Sequence, residues 1–89
     1  MQVSNLMSNK GNKIANQFNI IDDDGNQYFQ SYNSIIVKID KYHNIYLDEK
    51  YWNFSRTTSK YRNLWLGLTT KEIEQQFSDG KIIFTNLNK

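Results

Sequence analysis

Residues 61–77, YRNLWLGLTTKEIEQQF, decide the fold class. Tyr61, Leu64, Trp65 and Leu68 recur at i, i+3, i+4 and i+7, which places them on one helical face. Thr57 or Thr58 is positioned to cap the start of this helix. Gly67 is positioned to end it, since glycine takes the left-handed C-terminal conformation without a Cβ clash. Thr69-Thr70-Lys71-Glu72 then reads as a Thr-x-x-Glu capping box, in which the Thr hydroxyl and Glu carboxylate each satisfy a free backbone N–H. It opens a second short helix that turns Ile73 and Phe77 inward and stops at Asp79-Gly80.

Before this stretch the period is two. Residues 13–22 alternate as a strand, with Ile14, Phe18 and Ile20 on one face. Asp23-Asp24-Gly25-Asn26 supplies a tight turn, and residues 27–32 return as its partner strand. Residues 35–40 form a third strand with Ile35, Val37 and Ile39 inward, and residues 45–48 a short fourth after the turn KYHN. After the helices, residues 81–85 (KIIFT) make a last strand beside one of the first four. The expected fold is therefore α+β, an antiparallel sheet of four to five strands with two short helices inserted before the last one. Residues 1–12 show no period and read as a flexible N-terminal arm, leaving residues 13–89 as a single domain. No internal repeat is evident.

The chain has 89 residues, enough for one modest core. It contains no cysteine, so neither a disulfide nor a thiolate site is available, and stabilisation is expected to fall on six Tyr, five Phe and two Trp buried mostly in the core. No apolar run approaches the ~20 residues of a membrane span, and the polar N-terminus does not read as a signal peptide. The expectation is a cytoplasmic protein with no membrane partner. A net charge of +2, from eleven basic and nine acidic residues, neither demands nucleic acid nor suits a DNA mimic.

Groups for catalysis are sparse. His43 is the only histidine and lies in a turn, with no second His or Cys to share a metal. Asp22-Asp23-Asp24-Gly25 lacks the alternating ligand spacing of a calcium loop and reads as a charged hairpin turn. There is no Gly-rich phosphate loop. The chain reads as a non-enzyme without cofactors. The segment 50–62, KYWNFSRTTSKYR, is the best candidate for recognition: Lys50, Arg56, Lys60 and Arg62 alternate with Tyr51, Trp52, Phe54 and Tyr61, with no acidic residue. Such a mixture suits an acidic protein surface, where Trp, Tyr and Arg are effective anchors, or a nucleic-acid strand, through phosphate pairing and base stacking. Helical spacing points Lys60 outward and Tyr61, Leu64 and Trp65 inward. The expected partner-binding residues are Trp52, Arg56, Lys60 and Arg62. The plain alternative is that the rings belong to the core and the cations solvate a helix.

Three runs, Phe29-Gln30-Ser31-Tyr32, Thr57-Thr58-Ser59-Lys60-Tyr61-Arg62 and Thr85-Asn86-Leu87-Asn88, carry a wider resemblance over about residues 13–88. There the chain resembles a family of small proteins from phages, prophages and mobile elements of low-GC Gram-positive bacteria. That family transfers no catalytic residue. The resemblance implies an accessory protein acting in the host cytoplasm, an inhibitor of a host protein of the anti-defence, anti-CRISPR-like kind, whose target includes defence nucleoprotein complexes. The alternative is a nucleic-acid-binding accessory protein using residues 50–62. Two further readings are an assembly component that pairs through an edge strand and a carboxylate-metal nuclease built on Asp22–Asp24.

Overall fold

The computed structural model describes residues 1–88, which form six strands and two helices. In chain order these are β1 (Gln2–Met7), β2 (Lys13–Ile21), β3 (Gln27–Ser31), β4 (Ser34–Ile39), β5 (Ile45–Asp48), α1 (Arg56–Leu66), α2 (Thr70–Ser78) and β6 (Ile82–Thr85). The strands form one sheet in sequence order. β1 to β5 are antiparallel, joined by short turns. β6 runs parallel to β5, because the two helices return the chain to the end of the sheet where β5 began. The sheet is thus mixed and six-stranded, rather than antiparallel with four or five strands.

The additional strand comes from the segment read as an arm. Gln2–Met7 pairs with β2, Val3 opposite Ile20 and Asn5 opposite Phe18. Its own sequence has little alternation; the strand forms because β2 offers it a free edge, a non-local cause that no window of the sequence contains.

Asn19, Phe29, Val37, Leu47 and Phe84 stand in register across β2 to β6 on one face. Both helices cover this face, with Tyr61, Trp65, Leu66, Leu68 and Ile73 packed into the core. Phe29, Ile36, Val37, Leu47, Ile73 and Ile82 are buried, each worth about 1.5–3 kcal/mol. A register shift at Phe29/Gln30 lets Ile36 and Val37 both face inward, which displaces Ile35 to the other side. Of the thirteen aromatic rings only Phe29 is fully buried. The others are not the centre of the core: Trp65 stacks on Phe29 at 6.2 Å and donates its indole N–H to Asn19, while Phe77 lies over Phe84 at 4.2 Å with one side exposed.

The opposite face carries no helix. Val3, Ile20, Tyr28, Lys38, Tyr46 and Ile83 run in a single row across all six strands, and the Lys38 ammonium lies between the rings of Tyr28 and Tyr46, at 5.8 and 5.7 Å.

A short repeat does exist, in the turns. Asp22, Asn26 and Tyr28 recur as Asp40, Asn44 and Tyr46. In each copy one Asp oxygen accepts from the N–H groups two and four residues on, and the other accepts from the Asn amide and the Tyr hydroxyl. Hydrogen bonds from Asn26, Asp24 and Tyr28 outweigh partial desolvation and bring the Asp22 pKa to about 2. Partial desolvation opposes ionisation of Asp40 too, and bonds from Asn44, Tyr46 and Tyr42 overcome it, again to about 2. Gly25 and His43 hold the same position at φ 89° and 69°.

A basic cleft between α1 and the β1–β2 hairpin

Ser55 rather than Thr57 or Thr58 caps α1, accepting from the Thr58 N–H, and Gly67 closes it at φ 71°. The capping box at Thr69 and Glu72 opens α2 as its sequence dictates. The inward face of α1 also differs from the expected one. Thr58 and Arg62 are buried, Tyr61 and Trp65 are half-buried, and Leu64 is 57 % exposed.

Arg62 is the main correction to the expected site. It is 0 % exposed. Its guanidinium donates to the Trp52 carbonyl, to Asn53 Oδ1 at 3.2 Å, to Asn63 Oδ1 at 2.9 Å and to Thr70 Oγ1 at 2.9 Å, and it packs on the Trp52 ring at 5.2 Å. Burial lowers its pKa, opposed by Glu74, yet a guanidinium stays charged at neutral pH. Arg62 therefore ties the turn after β5, helix α1 and the start of α2 together and cannot reach a partner. Trp52 is half-buried on Phe84, ring centroids 5.2 Å apart, with its other contact on Arg62. The segment that carries both is anchored by Asp48, which is buried and accepts from the N–H groups of Lys50, Tyr51 and Leu87.

Arg56 and Lys60 remain available. Both are exposed, one helical turn apart, and among the described residues neither meets a carboxylate. Lys60 lies 5.2 Å from the Tyr61 ring centre. Together with Tyr61, Asn63 and Leu64 it lines one wall of a cleft of about 450 Å³ whose other wall is Met7, Ser8, Asn9 and Ile14. Those four belong to the β1–β2 hairpin, which also carries Lys10 in its turn and Lys13 opposite Met7.

The cleft thus joins two segments that share a property: residues 1–21 and 50–71 contain no acidic residue, and all nine Asp and Glu lie elsewhere. The hairpin half of this site was missed in the sequence because residues 1–12 read as an arm. Its signal, a run of twenty-one residues with two lysines and no acid, was present but had no visible partner. Among the described residues no group of three or more His, Cys, Asp or Glu is placed to hold a metal, and Asp22 is occupied by its own turn. No helix among them is long and apolar enough to cross a membrane.

One family model matches residues 1–84, nearly the whole fold including β1 and both walls of the cleft. The chain belongs to this family of unknown function, DUF8033. No curated protein and no solved structure matches it. For this DUF8033 chain the functional reading rests on its own geometry.

Proposed function

We propose that this DUF8033 chain is a non-catalytic binding protein that occludes an acidic surface of a bacterial host protein, as an inhibitor of the anti-defence, anti-CRISPR-like kind. The observation that carries the reading is the convergence of two acid-free segments on one cleft, in which Lys60, Tyr61 and Leu64 of α1 face Met7, Ser8, Asn9 and Ile14 of the hairpin, with Arg56 on the same helix and Lys10 and Lys13 on the same hairpin. Unpaired cations beside exposed apolar and aromatic surface favour an anionic partner with apolar patches, and such a partner needs only a few anchors. The resemblance to small phage and mobile-element proteins supplies the host context.

A second reading is favoured by the same cleft: Tyr61 with Asn9 and Asn63 amides among cations also suits a single nucleic-acid strand. Capture from a low-GC Gram-positive lysate, with and without nuclease, separates the two when wild type is compared with Lys60→Glu. A stoichiometric protein that survives nuclease and is lost with Lys60→Glu supports the inhibitor. A catch lost on nuclease treatment moves the assignment to nucleic acid. A catch that Lys60→Glu leaves unchanged removes this cleft as the site.

A further inference from the structure

An antiparallel sheet that shows one face to water usually alternates, apolar toward the core and polar toward solvent. The helix-free face of this sheet departs from that pattern. Its long row reads Val3, Ile20, Tyr28, Lys38, Tyr46, Ile83, and a shorter one adds Asn5, Phe18, Gln30 and Ile35. Lys38 is the only charge in these rows, and its ammonium is spent on the two tyrosine rings. Val3 and Ile83, at the two edges, are 59 % and 47 % exposed. A depression of about 220 Å³ lies on this face among Met1, Ile20, Asp22, Tyr28 and Ile35. Such a largely apolar sheet face without a covering layer suits a contact surface.

The charges at its ends favour a second copy as the occupant. The turns 22–26 and 40–44, with the starts of β1 and β6, lie at one end of the strands and carry Asp22, Asp23, Asp24 and Asp40 against Lys41, Lys81 and the Met1 ammonium, which pairs with Asp23. The turns 8–12 and 32–33 and the chain leaving β5 lie at the other end and carry Lys10, Lys13 and Lys50 against Glu49 and the buried Asp48. A second copy turned about a two-fold axis in the sheet plane, perpendicular to the strands, sets the acidic end of each protomer over the basic end of the other. The long row lies nearer the acidic end than the strand midpoints, so the rows of the two copies are offset and Lys38 does not meet its own equivalent.

We propose that this chain forms a two-fold homodimer by packing these helix-free faces together, strands antiparallel across the interface. Face-to-face sheets pack about 10 Å apart with their strands within about 30° of alignment. The face is about 24 Å across six strands and roughly 17 Å along them. That is about 400 Å² per protomer, small for a specific interface, so association is expected to be weak. The dimer leaves the cleft beside α1 open on both outer surfaces, giving two equivalent binding sites.

Sedimentation equilibrium on the full chain, across about 1–500 µM and at low and high salt, tests this. The expected result is a dimer whose dissociation constant rises at high salt. Ile83→Asp should give a monomer with an unchanged circular dichroism spectrum, while Leu64→Asp, on the opposite side, should leave the dimer intact. The paired reversal Asp23→Lys, Asp24→Lys should weaken association about tenfold, and adding Lys10→Asp, Lys13→Asp should restore it, which tests the orientation with exposed residues alone. A monomer throughout the range overturns the proposal. So does a dimer that survives Ile83→Asp or is indifferent to the charge reversals, since edge-to-edge pairing through β1 would give that result.

Discussion

Arg62 illustrates how a charged residue becomes a structural one. Its guanidinium is sealed from solvent without a carboxylate partner, and neutral oxygens from three separate segments satisfy it. A planar fork of five donors can span those oxygens; an ammonium cannot. Arg62→Lys is expected to lower stability by about 2 kcal/mol in urea unfolding, and Arg62→Glu to prevent folding, since it buries an acid against carbonyl and hydroxyl oxygens. Any loss of binding in Arg62 variants would then report unfolding, whereas Lys60→Glu reports recognition. Gln17 is the opposite case. It is buried on β2 beneath the helices, and neither atom of its amide finds a partner among the described residues. Gln17→Leu should raise stability by about 1 kcal/mol, seen as a higher urea midpoint with unchanged slope.

At the scale of elements, the repeated Asp–Asn–Tyr turn sets the register of two hairpins. Both aspartates have pKa values lowered to about 2 in the folded state, from an ordinary 3.8. A lowered carboxylate pKa stabilises the fold fully above the unfolded value and is lost as pH falls through the folded one. The stability contributed by the two turns should therefore decline between about pH 4 and pH 2, and the variant Asp22→Asn, Asp40→Asn should flatten that decline in acid titrations followed by circular dichroism. The tyrosines shift the other way. Tyr28 is raised by desolvation and its bond to Asp22, and Tyr46 by its bond to Asp40, so alkaline unfolding should set in as these phenols ionise. The two copies also differ usefully. Gly25 occupies a left-handed position at no steric cost, while His43 does so with a Cβ. His43→Gly should stabilise by about 0.5 kcal/mol, and Gly25→Ala should destabilise by about 1 kcal/mol, both read as shifts in thermal midpoint.

At the scale of the whole molecule, β1 links stability to recognition. It supplies Leu6 to the core, Met7 to the cleft and Val3 to the helix-free face. Removing residues 1–7 should cost about 2 kcal/mol, speed hydrogen exchange of β2, and abolish partner capture by dismantling one wall of the cleft.

The sequence by itself determined whatever depends on neighbours along the chain. The capping box at Thr69, the left-handed stop at Gly67, the hairpin turn at Gly25 and the change of period that makes the fold α+β are all local, and each lies where its residues demand. The outward placement of Lys60 also follows from helical spacing. Only the tertiary structure decided the rest. A free strand edge recruited residues with no strand pattern of their own, so the arm became β1. A register shift put Ile36 inward in place of Ile35. Arg62 could be buried because Trp52, Asn63 and Thr70 converge on it from three segments, a condition that exists only once those segments pack. The cleft has the same origin: two acid-free runs far apart in sequence become one basic surface when sheet pairing and helix packing bring them together.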